Sequence, residues 1–426
     1  MQKIQYFIYR LGIELYYYAA LIVSLFKPKA NLWLAGQRQT WLQLYKAPVN
    51  NRRPTLWIHC ASLGEFEQGR SLIEDVKKQY PNLYVVLTFF SPSGYEVRKN
   101  YAGANEVHYL LHDSPDNVRL WLDKIQPTLA IFVKYEYWYH YITELHSRHI
   151  PLFVVSAIFR PNQIFFRPYG TLFKQLLTKV NTIFVQNKTS ANLLQGIGIN
   201  NVQIAPDTRF DTVADNAKQP KALPLIAHFK GNSTLFVAGS TWKPDEQLLV
   251  ELINNPQITH LSGFKWIIVP HEINENHLLN IEQMLTVKHL RYSKADTMGG
   301  KIGKDVKVLL VDNVGMLSSI YAYAQYAYIG GGFGKGIHNI LEPAVYGMPV
   351  FFAPNYQKFQ EATDLIALQA AFAVPTAYEL SSRIDEIEQS STLYKKIAQT
   401  SQNYVQQNKG GGDKIRQKLA EILDAK

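Results

Sequence analysis

From residue 55 onward the chain alternates between short continuous apolar runs and longer stretches with helical spacing. The runs are 55–60 (TLWIHC), 83–88 (LYVVLT), 129–133 (LAIFV), 151–156 (PLFVVS) and 182–185 (TIFV). Between them, stretches such as 65–80 and 116–125 repeat apolar residues at helical intervals. Continuous Val/Ile/Leu runs separated by amphipathic helices predict a parallel sheet covered on both faces. The stretch 207–232, with its Ala, Lys, Pro, Asn and Gln, reads as a linker. Alternation then restarts at 234–238 (TLFVA), 265–269 (KWIIV), 307–311 (KVLLV), 326–329 (YAYI) and 349–353 (PVFFA). The pattern predicts an α/β chain of two doubly wound halves, without convincing sequence repetition between them. The closing NKGGGDKIRQKLAEIL reads as a Gly-rich turn and a terminal helix. Two such halves facing a cleft would hold ligands at the carboxyl ends of their strands, so chemistry is expected in strand-end loops.

The first thirty residues break the pattern. Residues 15–26 read LYYYAALIVSLF, preceded by Arg10 and Glu14 and followed by Lys27, Pro28 and Lys29. Twelve apolar residues make a helix of about 18 Å, short of a hydrocarbon core of about 30 Å. Extending back to Ile4 takes Arg10 and Glu14 into lipid, where their i, i+4 spacing would let them pair. The weakly basic start and the lack of an A-x-A site argue against a cleaved signal peptide. The segment reads as an uncleaved anchor lying in, or tilted through, the interface, with Tyr16–Tyr18 at headgroup level. The competing reading is a buried soluble helix. The expected organisation is therefore a membrane-associated helix at 1–30, Rossmann-like domains at 31–215 and 216–405, and a terminal helix at 406–426 packing back toward the first domain.

Composition narrows the partners. The 426 residues are 47% hydrophobic, enough for a substantial core, and carry a formal charge of +10. The Lys and Arg residues are scattered, with no zinc-finger spacing or arginine-rich run, so nucleic acid is not expected. Anionic lipid headgroups or a phosphorylated acceptor account for the charge. Cys60 is the single cysteine. It excludes intramolecular disulfides and, within WIHCAS, reads as a small core residue.

The strongest chemical signal is IGGGFGKGIHNILEP at 329–343, between a strand-like run and a helix-like one. Glycines there let backbone approach a ligand, and a helix start offers N–H groups to a phosphate. Lys335 and Gly336 lie in this loop, Asn339 would cap the helix or touch the ligand, and Glu342 can accept both hydroxyls of a ribose. The spacing differs from G-x-G-x-x-G with a later acidic residue, which disfavours a nicotinamide site. At 238–246, AGSTWKPDE places Ser240 and Thr241 to donate to a phosphate, with Pro244 at a first-turn position and Asp245 and Glu246 suited to the helix dipole. In the first half, SLGEFEQGR puts Glu65 just after a Gly turn, where a carboxylate is either a general base or a helix-dipole partner. TFFSPSG, with Ser91 and Ser93, and KYEYWYH, with Glu136 among aromatics, are two further strand-end loops. No Asp-x-Asp and no metal-ligand spacing of His occur, so no metal and no cofactor are expected. The lack of a G-x-S-x-G elbow or a Walker loop removes ordinary hydrolases and P-loop NTPases.

Taken in order, these motifs resemble the 3-deoxy-D-manno-octulosonate (Kdo) transferases of lipid A assembly over almost the whole chain. WIHCASLGE is similar to that family's first strand and S-x-GE turn, and TFFSPSG to its T-x-T-P-T-G loop. AGSTWKPDE resembles its STH-x-GEE segment, VDNVGML at 311–317 its D-x-x-GEL, and GGGFGKGIHNILEP its GGS…GGHN-x-LEP signature. The resemblance implies a GT-B fold, a membrane-anchoring first helix, and an inverting, metal-independent transfer. The implied donor is CMP-Kdo, and the implied acceptor is the lipid A precursor (lipid IVA) at the cytoplasmic face of the bacterial inner membrane. Carried over by residue, Glu65 becomes the general base, with Ser62 and Gly64 in its turn. Ser240 and Asn339 fall near the CMP phosphate, Glu342 at the ribose, and Gly315, Met316 and Leu317 beside the nucleotide. Family P-R-H is here Pro270-His271-Glu272, leaving His271 where an Arg is usual. E-T-E-x-W-P-N is reduced to KYEYWYH, which keeps Glu136, and G-N-x-K-F-D carries Arg209 in place of Lys. Two other readings stay open: a UDP-sugar transferase of the same fold acting on another lipid, and a non-catalytic lipid or nucleotide sensor.

Overall fold

The computed structural model describes residues 2–47, 54–297, 299–300 and 302–424. Two compact units emerge, Met1–Asp211 with Lys409–Lys426, and Thr212–Asn408.

The first unit is built on seven parallel strands: β1 (Thr55–Cys60), β2 (Tyr84–Phe89), β3 (Glu106–Tyr109), β4 (Leu129–Val133), β5 (Leu152–Ala157), β6 (Thr182–Val185) and β7 (Val202–Ile204). Their order is β3-β2-β1-β4-β5-β6-β7, so chain direction across the sheet reverses between β1 and β4. Successive side chains of a strand point to opposite faces. Trp57 accordingly packs with Trp121, Phe132 and Tyr141 on one face, while Leu56, Ile58 and Cys60 pack with Leu72, Val85 and Ile131 on the other. That second face is completed by Ile415 and Leu419 of the terminal helix Gly411–Leu423. Asp211 caps that helix's entry by accepting from the N–H groups of Gly410 (2.7 Å) and Gly412 (2.8 Å).

Two helices precede the sheet, α1 (Gln2–Ser24) and α2 (Pro28–Lys46). Polar and aromatic side chains dock α1 onto the unit. Tyr9 donates to the buried Asp113 (2.6 Å), Gln5 donates to the Tyr169 carbonyl (2.8 Å) and accepts from Leu172 N–H (2.9 Å), and Tyr17 stacks on His112 (4.6 Å). The apolar residues face outward: Ile4, Phe7, Ile8, Leu11, Leu15, Tyr18 and Ile22 are all exposed. Their three- and four-residue spacing makes a stripe along one face. Arg10 and Glu14 form no ion pair among the described residues. No helix among the described residues is long and apolar enough to cross a membrane.

The second unit holds another seven parallel strands: β8 (Thr234–Thr241), β9 (Phe264–Pro270), β10 (His289–Arg291), β11 (Val308–Leu310), β12 (Tyr326–Ile329), β13 (Val350–Phe352) and β14 (Ala371–Ala373). Their order is β10-β11-β9-β8-β12-β13-β14, with the reversal between β8 and β12. The stretch expected as a linker is instead largely helical, over Thr208–Lys218 and Pro224–Lys230. Its polarity belongs to outer faces, while Phe210, Val213, Leu225, Ile226 and Phe229 are buried. All ten strands expected from apolar runs are present, shifted by a few residues at most.

Candidate active site

In the second unit the two loops that leave the sheet at its reversal are interlocked. β8 carries an irregularity between Gly239 and Thr241, where Ser240 adopts a left-handed φ of +54°. That kink presses the Ser240 carbonyl against the first glycine after β12. A Cβ on Gly330 would lie 2.2 Å from the Ser240 oxygen and 2.6 Å from the Thr241 Cα. Both are backbone atoms, so no side chain can be accommodated there without moving a strand. Asp245 ties the loops together: its carboxylate accepts from the N–H groups of Gly331 and Trp242 and from the Tyr328 hydroxyl, each at 2.9 Å. Burial pushes this carboxyl up, against the pull of its three donors.

Thr241 departs from its expected role. It is fully buried, and its hydroxyl donates to Glu246 (3.0 Å), which also contacts His277 Nε2 (2.7 Å). A hydroxyl so held supports the loop from beneath. Ser240 is half-buried, and its hydroxyl has no hydrogen-bond partner among the described residues. Asp245 and Glu246 stand in the first turn of the helix Lys243–Asn254, as a helix-dipole role expects, and both are buried; Pro244 occupies that turn as well.

Three rings stack beside the glycine loop. His271 lies against Trp242 (centroids 4.8 Å apart) and His338 (4.3 Å), while Trp242 Nε1 donates to His338 Nε2 (3.1 Å). Burial, with the neighbouring His271, pushes His338 down to about 4. An accepting Nε2 agrees with a neutral ring. Burial also lowers His271, despite Glu272. Where the family has a permanently charged Arg, this chain therefore presents a neutral imidazole. Lys335 is an exposed cation of the loop, and Gly336 sits beside it at φ +137°.

Asn339 and Glu342 meet. Asn339 Nδ2 donates to Glu342 Oε1 (3.2 Å), and Asn339 Oδ1 accepts from Leu341 N–H (3.2 Å) at the start of the helix Leu341–Ala344. That helix is a single turn, shorter than the apolar pattern suggested. The Tyr321 hydroxyl is buried with no hydrogen-bond partner among the described residues; burial and the Glu342 charge hold it well above its ordinary pKa. Gly315 (φ +84°) and Met316 lead into the helix Leu317–Ile320, whose Leu317 side chain packs over Gly239. Ser240, His271, Met316, Asn339 and Glu342 thus all lie at the carboxyl ends of this sheet's strands or in the segments that follow them.

In the first unit the reversal lies between β1 and β4, and each strand delivers one carboxylate. Ser62 caps the helix α3 (Leu63–Gln79), accepting from Gly64 N–H (3.3 Å) and donating to Glu65. Ser-x-x-Glu at a helix start is the capping-box spacing. Glu65 is therefore oriented by its own cap and is half-buried in the first turn of the helix. Glu136, after β4, accepts from His59 Nε2 (2.9 Å) and Trp138 Nε1 (2.7 Å) and is 11% exposed. His59 is fully buried, and its Nδ1 contacts Thr88 Oγ1 (3.0 Å). The Cys60 thiol is pushed up by burial, then by Glu65, Glu136 and Glu67.

The remaining acceptor-side residues are placed less directly. Ser91 caps the helix Pro92–Arg98 by accepting from Ser93 N–H (3.3 Å), and the two hydroxyls lie 3.0 Å apart. Arg209 Nε and Nη2 both donate to Asp207 Oδ2 (3.0 and 2.9 Å). Asp207 is buried and also accepts from Gln68 (2.6 Å) and Gln186 (2.9 Å). Burial alone would raise its pKa, but Arg209, with Lys134 behind it, holds it below the ordinary range. The sequence reading missed His59, Trp242, His338 and Tyr321 as site residues. His338 lay inside the glycine motif and Trp242 beside Thr241, so adjacency was the available signal for those two; nothing local marked Tyr321.

Comparison with known proteins points the same way as the motifs. Residues 36–212 match the family model described as 3-deoxy-D-manno-octulosonic-acid transferase (kdotransferase). The 3-deoxy-D-manno-octulosonic acid transferase of Rickettsia bellii is 23% identical over 421 residues, covering 96% of each chain. That of Haemophilus influenzae is 24% identical over 379 residues, 87% of each, and that of Aquifex aeolicus 25% over 346 residues, 80% of this chain and 88% of its own. Among solved structures, UDP-GlcNAc 2-epimerase from Neisseria meningitidis, bound to UDP-GlcNAc, has a TM-score of 0.59 at 14% identity and covers 88% of this chain and 100% of its own. That likeness concerns the fold alone, a pair of Rossmann-like domains resembling GT-B glycosyltransferases. With relatives aligned nearly end to end and motifs seated at the strand ends of both sheets, the chain is similar over most of its length to the 3-deoxy-D-manno-octulosonic acid (Kdo) transferases.

Proposed function

We propose that this glycosyltransferase moves Kdo from CMP-Kdo to a hydroxyl of the lipid A precursor lipid IVA, with inversion and without a metal, in lipopolysaccharide synthesis. The observation that carries the reading is the interlocked β8–β12 crossing, where Asp245 and Gly330 hold an unpartnered Ser240 hydroxyl in the same set of strand-end loops as the Asn339–Glu342 pair. A nucleoside monophosphate suits it: Glu342, held by Asn339, would accept from the ribose hydroxyls, and Ser240 and Lys335 would meet the phosphate. The His271 ring would take the place of a fixed cation.

Glu65 is assigned as the general base. It removes the proton of the acceptor hydroxyl as that oxygen attacks the anomeric carbon, and CMP leaves from the opposite face with the bonding pair. Preorganised donors around the departing phosphate lower the cost of its developing charge. Glu136 is held by His59 and Trp138 and is assigned to acceptor positioning. The outward apolar stripe of α1, followed by Lys27 and Lys29, supports docking on the cytoplasmic face of the bacterial inner membrane.

The test is transfer from CMP-Kdo to purified lipid IVA, followed by mass spectrometry. A product one Kdo heavier or more is expected, and no product from well-folded protein would reject the substrates. Thermal stabilisation by CMP but not by UDP is expected from the donor assignment; the reverse order would point to a UDP-sugar enzyme.

A further inference from the structure

A cavity of about 340 Å³ lies in the first unit between α1 and the loop that follows β4. Its walls include Tyr9 of α1, Tyr135, Tyr137 and Trp138 of the loop, and Phe165 and Phe173. No charged side chain lines it. Tyr9 commits its hydroxyl to Asp113, and the Tyr137 hydroxyl is buried without a partner among the described residues. A cavity so walled favours an apolar guest, and its size, near the low end of about 300–1,000 Å³ for small-molecule sites, fits part of one chain and excludes a whole glycolipid.

Two further features say which guest. In the chain, Arg160 and Arg167 bracket the wall residues Gln163, Ile164 and Phe165, and neither forms an ion pair among the described residues. Arg160 Nη1 instead contacts the hydroxyl of the wall residue Tyr135 (3.5 Å). Unpaired guanidiniums beside an apolar cavity match a ligand with an anionic head and an apolar tail. The cavity's walls also adjoin two other features. Tyr9 belongs to the helix whose outer face exposes Ile4, Phe7, Ile8 and Leu11. Tyr135 and Tyr137 flank Glu136, whose carboxylate is pinned at the strand end by His59 and Trp138.

We infer that this cavity holds one acyl chain of the glycolipid acceptor, with Arg160 and Arg167 meeting its anionic headgroup, so that the chain positions the acceptor sugar at the β1–β4 strand ends. The inference rests on the acceptor being a membrane glycolipid. Acyl recognition here is a specificity determinant, separate from the proton transfer assigned to Glu65.

Two measurements test it. The first compares kcat/KM for lipid IVA with that for its fully deacylated counterpart in detergent micelles, in wild type and in Ile164→Glu. Ile164 is 37% exposed at the cavity wall, so the folded state should tolerate the charge. The acylated-to-deacylated ratio is expected to fall at least tenfold in the variant, through KM. An unchanged ratio in a variant with wild-type thermal unfolding overturns the proposal, as does wild type using both acceptors equally well. The second measures binding of a lysophosphatidic acid carrying a parinaroyl chain, by fluorescence, with no transfer required. Saturable binding to wild type that is lost in Ile164→Glu supports the cavity even if no Kdo is transferred, in which case the acceptor assignment fails alone. Binding that is equal in both proteins, or not saturable, overturns the cavity.

Discussion

Glu65 draws its geometry from Ser62, its own helix cap. Replacing it with Gln keeps size and hydrogen bonding while removing the base. Transfer is expected to fall roughly a hundredfold or more, with CMP binding unchanged by calorimetry; wild-type turnover in Glu65→Gln would remove it from the mechanism. Gly330 makes the complementary point, since its missing Cβ is occupied by Ser240 and Thr241 backbone. Gly330→Ala is expected to cost about 2–4 kcal/mol of stability by overpacking, read from denaturant melts. His338 predicts a pH effect. Its folded pKa of about 4 lies below the ordinary 6.5, so the unfolded chain takes up the proton first. Its contribution is fully present above about pH 6.5 and is lost as pH falls through 4, on the order of 2 kcal/mol after discounting for partial exposure. Stability curves between pH 7 and 4 should be flatter for His338→Phe than for wild type; parallel curves would assign the slope elsewhere.

At the scale of elements, α1 inverts the usual arrangement, docking by hydrogen bonds and exposing its apolar side. Tyr9→Phe removes the hydroxyl from Asp113, which still receives three other donors. The expected loss is about 1 kcal/mol. Leu11→Glu with Leu15→Glu leaves those contacts intact and should abolish co-sedimentation with anionic vesicles while preserving the melting temperature; retained sedimentation would locate membrane attachment elsewhere. The strands divide by position. Those read from apolar runs include every central one, whereas β3, β7, β10 and β14 were unread, and all four are sheet edges of three or four residues. An edge strand is covered on fewer sides, so its residues need not be continuously apolar: β7 is Val-Gln-Ile with two of its three residues exposed.

At the scale of the molecule, the chain leaves its first unit near Asp211 and returns to it at Lys409. The last helix supplies Ile415, Leu419 and Leu423 to the first unit's core, together with ion pairing of Arg416 to Asp75. Stopping the chain after Asn408 should therefore destabilise the first unit, in which none of the donor-side residues lies. Hydrogen exchange with the truncated protein is expected to show lost protection in β1 and α3 and unchanged protection in β8 and β12. Uniform loss would mean that the two units unfold as one.

Periodicity was sufficient for the α/β class, the ten inner strands and the strand-end location of Glu65, Ser240, Asn339 and Glu342, because continuous burial and turn chemistry leave local traces in composition. Which loops are neighbours was not legible, since strand order joins β8 to β12 across more than eighty residues. The side-chain partner of Thr241, Glu246 beneath a bent strand end, was not legible either, nor was the burial of Asp207 between Gln68, Gln186 and Arg209. The ring stack of Trp242, His271 and His338 joins three separate loops. Its neutrality comes from desolvation, a property of the packed environment that no residue carries alone.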